Sequence, residues 1–193
     1  MGKIVISENV SLDGVIQDPT GKEGFRLAGW FDRLGDKDRE AWAKVEFEEA
    51  LGTEALLLGR RTYEWFVARG WASRSGEWPD RLRSLPKYVV SSTLEDLEWD
   101  NSTVLNGDVV NEVSKLKHEV AGDIVVYGSG RLVHPLVEHD LVDELRLMIC
   151  PFVLGEGERV FGETSDQKPM RLVDTRTVGD SLVCLTYQPV RDA

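Results

Sequence analysis

Three short apolar runs, each followed by or leading to a helix-like stretch, constrain this chain more than any other feature. "EALLLG" (54–59), "KYVVSST" (87–93) and "DIVVYG" (123–128) have the length of strands and carry apolar residues on both faces. "RRTYEWFVARG" (60–70), "DVVNEVSKLKHEV" (108–120) and "SGRLVHPLVEH" (129–139) have the length and period of helices. Doubly buried strands that alternate with helices require a largely parallel sheet covered on both sides, so the expected class is α/β. Val109, Val110, Val113, Leu116 and Val120 share one helical face, and Asp108 stands at the capping position. Gly70 closes the first of these helices, and Pro135 fits the last only near its first turn.

The flanking sequence extends this pattern. Residues 3–10 read as a strand, followed by the Asp-Gly turn signal of "LDGV" and a long loop from Asp18 to Gly35. A helix with an acidic first turn is expected from Asp36 to Leu51, with Gly52 as its stop. Gly70 to Pro86, containing "SRSGEWPD", reads as a flexible surface loop. In the last third "DELRLMICPFVLG" (143–155) is strand-like. "MRLVDTRTVGDSLVCLTYQP" (170–189) splits at Gly179-Asp180 into a hairpin that should add antiparallel strands to the sheet edge. Without repeats or a linker, residues 1–193 are expected to form one domain.

Hydrophobic residues make up 41% of the chain and charged residues 30%, a soluble composition with no apolar run near the length of a membrane span. The start lacks a signal-peptide pattern, and a cytoplasmic protein is expected. Cys150 and Cys184 lie in apolar strand-like stretches, where a buried free thiol is the ordinary role. His118, His134 and His139 have no metal-ligand spacing, so no metal is expected. The net charge of −11 repels nucleic acid and anionic membrane, and a small-molecule ligand is expected instead.

Against that acidic field the placement of the cations is informative. Arg60 and Arg61 stand where a helix begins, and the helix dipole disfavours cations there. Three strand exits carry groups suited to anions: Gly59-Arg60-Arg61-Thr62, Ser91-Ser92-Thr93, and Gly128-Ser129-Gly130-Arg131-Leu132. Glycines admit close backbone approach, hydroxyls donate, and arginines neutralise with forked hydrogen bonds. In open α/β sheets ligands bind beyond the carboxyl ends of the strands, so the three exits together describe a dinucleotide cradle. Val133 stands where the Rossmann fingerprint needs its last glycine, so that fingerprint is absent.

These segments resemble, in order, elements of one known family. "LLLGRRTYEWF" resembles the strand, Gly-Arg-x-Thr and helix element of the dihydrofolate reductase fold, "VVSST" its second cofactor segment and "VVYGSGRLV" its third. "SENVSLDGVI" and "DELRLMICPFVLGEGERVF" resemble the reductase half of riboflavin-biosynthesis deaminase-reductases and their stand-alone relatives. The resemblance spans Lys3 to Gly162. It implies a three-layer dihydrofolate-reductase-like fold, with a mixed, mostly parallel sheet of about eight strands and a C-terminal antiparallel hairpin. It also implies NADPH as cofactor and a homodimer. By position, Arg60, Ser92 and Arg131 would hold the adenosine 2′-phosphate, and Arg61, Thr62 and the Gly128–Gly130 turn would face the pyrophosphate. Gly59, Ser91, Thr93 and Leu132 belong to the same segments. Asn9, Asp13, Gly14 and Ile16 would lie near the nicotinamide or substrate, with a tight turn as the main role of Asp13-Gly14.

The chain also departs from the family. Ser129 stands where dihydrofolate reductases have the second of two glycines, and Met148 falls near their pteridine-binding threonine. Asp32, Asp36, Asp38 and Glu40 are all candidates for the proton-relay carboxylate, although each also suits a loop or helix start. Trp30, Phe31 and Trp42 could wall a planar ring or serve as core anchors. These departures argue against folate itself. The expected activity is hydride transfer from NADPH to a planar N-heterocycle or ribosylamino-pyrimidine, of the 5-amino-6-(5-phosphoribosylamino)uracil reductase or dihydrofolate reductase type. The alternative is a non-catalytic nucleotide-binding module.

Overall fold

A computed structural model describes residues 1–191. The elements run β1 (Lys3–Ser11), α1 (Asp36–Gly52), β2 (Thr53–Gly59), α2 (Arg60–Ala68), α3 (Glu77–Ser84), β3 (Lys87–Val90) and β4 (Ser102–Leu105). They continue with α4 (Val109–Glu119), β5 (Asp123–Tyr127), α5 (Gly130–Glu138), β6 (Val142–Cys150), β7 (Met170–Val178) and β8 (Leu182–Pro189). One eight-stranded sheet has the order β4-β3-β2-β5-β1-β6-β8-β7. Its first six strands are parallel, and β8 and β7 add antiparallel pairing at the edge. No helix among the described residues is long and apolar enough to cross a membrane.

The alternation of side chains along each strand explains the two layers of helices. Ile4, Ile6, Leu57, Ile124 and Val126 face one side, where Val113 and Leu116 of α4 and Val133 and Leu136 of α5 cover them. Val5, Leu56, Leu58 and Val125 face the other, against Ala50 of α1, Tyr63 and Phe66 of α2, and Leu82 of α3. The hairpin end has its own core, in which Trp30, Phe31 and Leu34 pack on Met148, Cys150, Val178, Leu182 and Cys184. Both thiols are buried and free, and burial pushes that of Cys150 up to about 12.

Three local expectations need correction, and one strand goes unanticipated. Gly70 to Pro86 is not simply a surface loop, because Pro79 and Leu82 turn α3 onto the core. The strand β4 has no clear signal in its sequence, and its half-buried residues are ordered by pairing with β3. "KYVVSST" leaves the sheet at Val90, since the Ser91 hydroxyl accepts the N–H groups of Thr93 and Leu94 and closes a turn. Pro135 sits in the second turn of α5 rather than the first, so the Arg131 carbonyl has no helical N–H from that position.

Asp108 caps α4 through the Asn111 N–H, as the pattern predicts. Gly179, at φ 63°, makes the hairpin turn. Asp38 in the first turn of α1 fastens that hairpin: its carboxylate accepts the N–H groups of Asp180 and Ser181 at 2.6 and 3.1 Å, together with the Ser181 hydroxyl.

Candidate active site

A cavity of about 760 Å³ lies across the carboxyl ends of β1, β2 and β5. Its outer part is built by two strand-to-helix turns. At the exit of β5, Gly128 and Ser129 both adopt left-handed backbone, at φ 57° and 65°. Glycine does this without strain, whereas serine needs compensation. The Ser129 Oγ provides it by accepting the Gly59 N–H at 2.9 Å, while lying 2.9 Å from Thr62 Oγ1 and 3.1 Å from the Tyr127 carbonyl. One hydroxyl thus binds the end of β2, the first turn of α2 and the end of β5 together. Removing it in Ser129→Ala is expected to destabilise the fold by about 1–3 kcal/mol in urea unfolding. Ser129→Gly, which relieves the left-handed strain, should lose about 1 kcal/mol less. Full stability of the alanine variant would refute this account.

Gly59, Arg60, Arg61, Thr62, Gly128, Ser129, Gly130, Arg131 and Leu132 all line the cavity. A Cβ on Gly130 would come within 2.7 Å of Ile16 Cδ1 and 3.2 Å of a Glu158 carboxylate oxygen, so the glycine keeps the turn open. Arg60 donates to Glu64 at 2.7 Å and to the Thr93 hydroxyl. Arg61 faces Glu23 at 3.0 Å and Glu158 at 3.8 Å. These acids offset the unfavourable placement of two cations at a helix N-terminus, and any bound anion would compete with them. Arg131 is exposed and makes no ion pair among the described residues. Ser91, Ser92 and Thr93 do not line the cavity. Ser91 is committed to its turn, Ser92 is exposed, and Thr93 reaches the site only through Arg60.

Acidic and aromatic residues complete the lining. Asn9 and Ile16 also line the cavity, Ile16 beside Gly130, and Asn9 Oδ1 accepts the Trp42 indole N–H at 2.8 Å. Trp42 meets Trp78 edge-on at 5.6 Å between ring centres, Trp78 meets Trp71 at 5.2 Å, and Trp71 meets Phe66 at 5.7 Å. These four rings form one continuous wall of the cavity. Trp30 and Phe31 are core anchors of the hairpin cluster instead.

Asp13 and Gly14 lie away from the cavity. The Asp13 carboxylate accepts the N–H groups of Leu154 and Gly155 and the Ser11 hydroxyl, which holds its pKa down to about 2 and ties the turn after β1 to the loop after β6.

The four carboxylates considered for proton relay are elsewhere too. Asp38 holds the hairpin, Asp36 pairs with Arg39, and neither Asp32 nor Glu40 lines the cavity. Two other acids do. Glu8 on β1 and Glu46 on α1 are buried and line the cavity, and Glu8 Oε1 has no hydrogen-bond partner. Burial, reinforced by the nearby charge of Glu158, pushes Glu8 up to about 8. Burial also raises Glu46 well above the usual carboxylate range, with Glu49 and Glu8 adding to it and Arg146 opposing. Burial thus favours the neutral form of both carboxyls, and near pH 7 Glu8 is mostly protonated, able to donate a hydrogen bond or a proton.

Their signal was present in the sequence. Glu8 interrupts a strand otherwise buried along its length, and Glu46 falls on the helical stripe of Trp42 and Ala50.

Residues 2–184 match the model of the RibD C-terminal domain. The chain belongs to this family. As a RibD C-terminal domain it is 29% identical to the uncharacterized protein YyaP of Bacillus subtilis (strain 168), over 96% of this chain and 94% of that protein. Its fold is similar to a Shewanella sp. PV-4 protein described as a candidate riboflavin biosynthesis protein, at 21% identity and TM-score 0.72 over 98% and 99% of the two chains. It is also similar to Enterococcus faecalis dihydrofolate reductase, solved with NADP(H), at 18% identity and TM-score 0.63 over 97% and 96%. These likenesses bear out the dihydrofolate-reductase-like architecture of this RibD C-terminal domain.

Proposed function

We propose that this protein is an NADPH-dependent reductase that delivers hydride to a planar N-heterocycle or ribosylamino-pyrimidine. The observation that carries this reading is a single cavity joining an arginine- and glycine-rich double turn to a wall of indoles and two buried carboxyls. Membership of the RibD C-terminal domain family, and a fold shared with a reductase solved with NADP(H), support it.

The residues present fit such a cofactor. The open Gly130 position and the paired left-handed residues Gly128 and Ser129 leave room for a diphosphate against backbone N–H groups. Arg61 and Thr62 would meet the diphosphate from α2. Arg60 and Arg131 would take the 2′-phosphate at the exposed edge, with Ser92 and Thr93 beside Arg60. Asn9 and Ile16 would border the nicotinamide. When bound, the cofactor supplies hydride. The chain's own contribution is to exclude water with Trp42, Trp71 and Trp78 and to hold a proton on the Glu8 carboxyl against the bound ring. A buried acid in the pocket supports the catalytic reading over a non-catalytic nucleotide-binding module.

The test is NADPH oxidation, followed by absorbance, with a panel of pterins, flavins, pyrimidines and quinones. Turnover with at least one of them is expected. Failure with all of them, in protein that also fails to bind NADPH, would overturn the reading.

A further inference from the structure

Glu46 borders two cavities. It lines the large one described above, and together with Ser7 it also lines a second cavity of about 330 Å³ formed by α1, β1, β6, β7 and β8. Ser7 and Glu46 are thus the partition between the two. The lining of the second cavity passes from exposed residues, Glu48, Asp174 and Arg176, to the buried Ser7, Glu46 and Met148. It connects the surface on the hairpin side of the sheet with the Glu46 side chain.

This second cavity is suited to hold water. Enclosed water is kept in place by several polar partners, and here carboxylates, guanidinium groups and the Thr186 hydroxyl supply them. Arg146 is fixed there by Glu49, Asp123 and Glu144 at 2.7–3.0 Å. That contact uses Glu49 Oε2 and leaves Glu49 Oε1 buried and without a partner. Buried polar atoms are normally satisfied by protein or by ordered water, so this oxygen is a place for a water to bind. On the other side of Glu46, Tyr127 lines the large cavity, and its buried hydroxyl is unpaired as well. Burial raises that hydroxyl well above its usual range, with the charges of Glu49 and Glu46 adding to it, so it keeps its proton. Tyr127, Glu46 and Glu49 therefore act on one another electrostatically. They border, in turn, the large cavity, both cavities and the second cavity.

Reduction of a C=N bond adds a hydride to carbon and a proton to nitrogen. The hydride comes from NADPH, which leaves as NADP⁺, so every turnover withdraws a proton from the site. Ligands that fill the large cavity also exclude the water that would replace it. Resting on the reductase reading, we propose that Glu46 is the proton inlet of the site, taking protons from water in the second cavity and passing them into the large one. Glu49 and Tyr127 hold water on either side of it.

The test is the rate at which the Glu46 proton exchanges with D₂O, read at mildly acid pH by the infrared carbonyl band of the protonated carboxyl. Glu46→Gln assigns the band by its loss, and Glu46→Asp assigns it by its shift if the amide does not fold. Thr186 lines the second cavity and not the large one. In protein saturated with NADP⁺, Thr186→Phe, which fills the second cavity, should slow the exchange at least about ten-fold, while Thr186→Ser keeps the natural rate. The affinity for NADP⁺ should be the same in both variants. In the natural chain, NADP⁺ itself should change the rate by less than about two-fold, because it occupies the other side of Glu46. No protonated carboxyl assignable to Glu46, an unchanged rate in folded Thr186→Phe, or a ten-fold slowing by NADP⁺ in the natural chain would each overturn the proposal, the last at about the magnitude expected for entry through the large cavity. The natural-chain comparison does not depend on the phenylalanine variant folding. NADP⁺ binding is measured first, by fluorescence quenching. Its absence would sink the reductase reading, whereas the Thr186→Phe comparison in unliganded protein would still decide whether protons reach Glu46 through the second cavity.

Discussion

Arg60→Ala is expected to weaken NADPH binding by about ten- to a hundred-fold while leaving NADH affinity nearly unchanged, a loss typical of one charge-assisted contact. Arg60 opens α2, where the helix dipole opposes it, and it is steadied by Glu64 and by the Thr93 hydroxyl. Two neighbours holding the guanidinium at the cavity edge reduce the ordering cost of binding a phosphate. Only NADPH carries a 2′-phosphate, so the ratio of the two affinities isolates that contact. Arg131→Ala should act in the same direction, and fluorescence titration with both cofactors reads both variants. An equal loss for NADPH and NADH would move Arg60 to the diphosphate. No loss for either would make it ordinary surface charge.

The second large effect is on stability. The Glu8 carboxyl is held at about 8 in the folded protein, against a reference of 4.5. Between those values the folded state binds more protons than the unfolded state, so the unfolding free energy falls as pH rises. The stabilisation is full below about pH 4.5 and lost through about pH 8, by at most about 5 kcal/mol. Glu46, raised by the same burial, acts with the same sign. Asp13 and Asp38 are held low by the N–H groups they accept. Their stabilisation is lost only as pH falls below the ordinary carboxylate range, outside this window. Glu8→Gln, which cannot ionise, should flatten the dependence and leave the variant more stable than the natural protein at about pH 8. Urea unfolding across the window measures it. A flat profile in the natural chain, or a glutamine variant less stable at the alkaline end, would remove the protonated carboxyl from the account.

Local sequence carried the elements whose cause is local. Strand and helix alternation, the Asp108 cap and the Gly179 turn were legible because period, capping and positive φ act over a few residues. The β4 strand was not, since its residues become a strand only by pairing with β3. The helix α3 was hidden by the Gly-, Ser- and Pro-containing stretch around it, and its place in the fold comes from Leu82 packing on a core assembled from distant segments.

The site divides in the same way. The turns holding Arg60, Arg61, Gly128 and Gly130 could be read from the chain because strand exits and glycines mark where backbone N–H groups are free. Asp36, Asp38 and Glu40 share α1 with Glu46, and Asp32 lies just before it, but local sequence does not show which of these carboxylates is turned toward backbone donors and which is buried. By itself, then, the sequence determined an α/β sheet with an arginine- and glycine-rich edge at the strand exits, because periodicity and turn chemistry act through neighbouring residues. Only the tertiary structure decided which carboxyls are desolvated and which rings line the cavity. Desolvation depends on what the distant parts of the chain bring around each group, and no local pattern contains that.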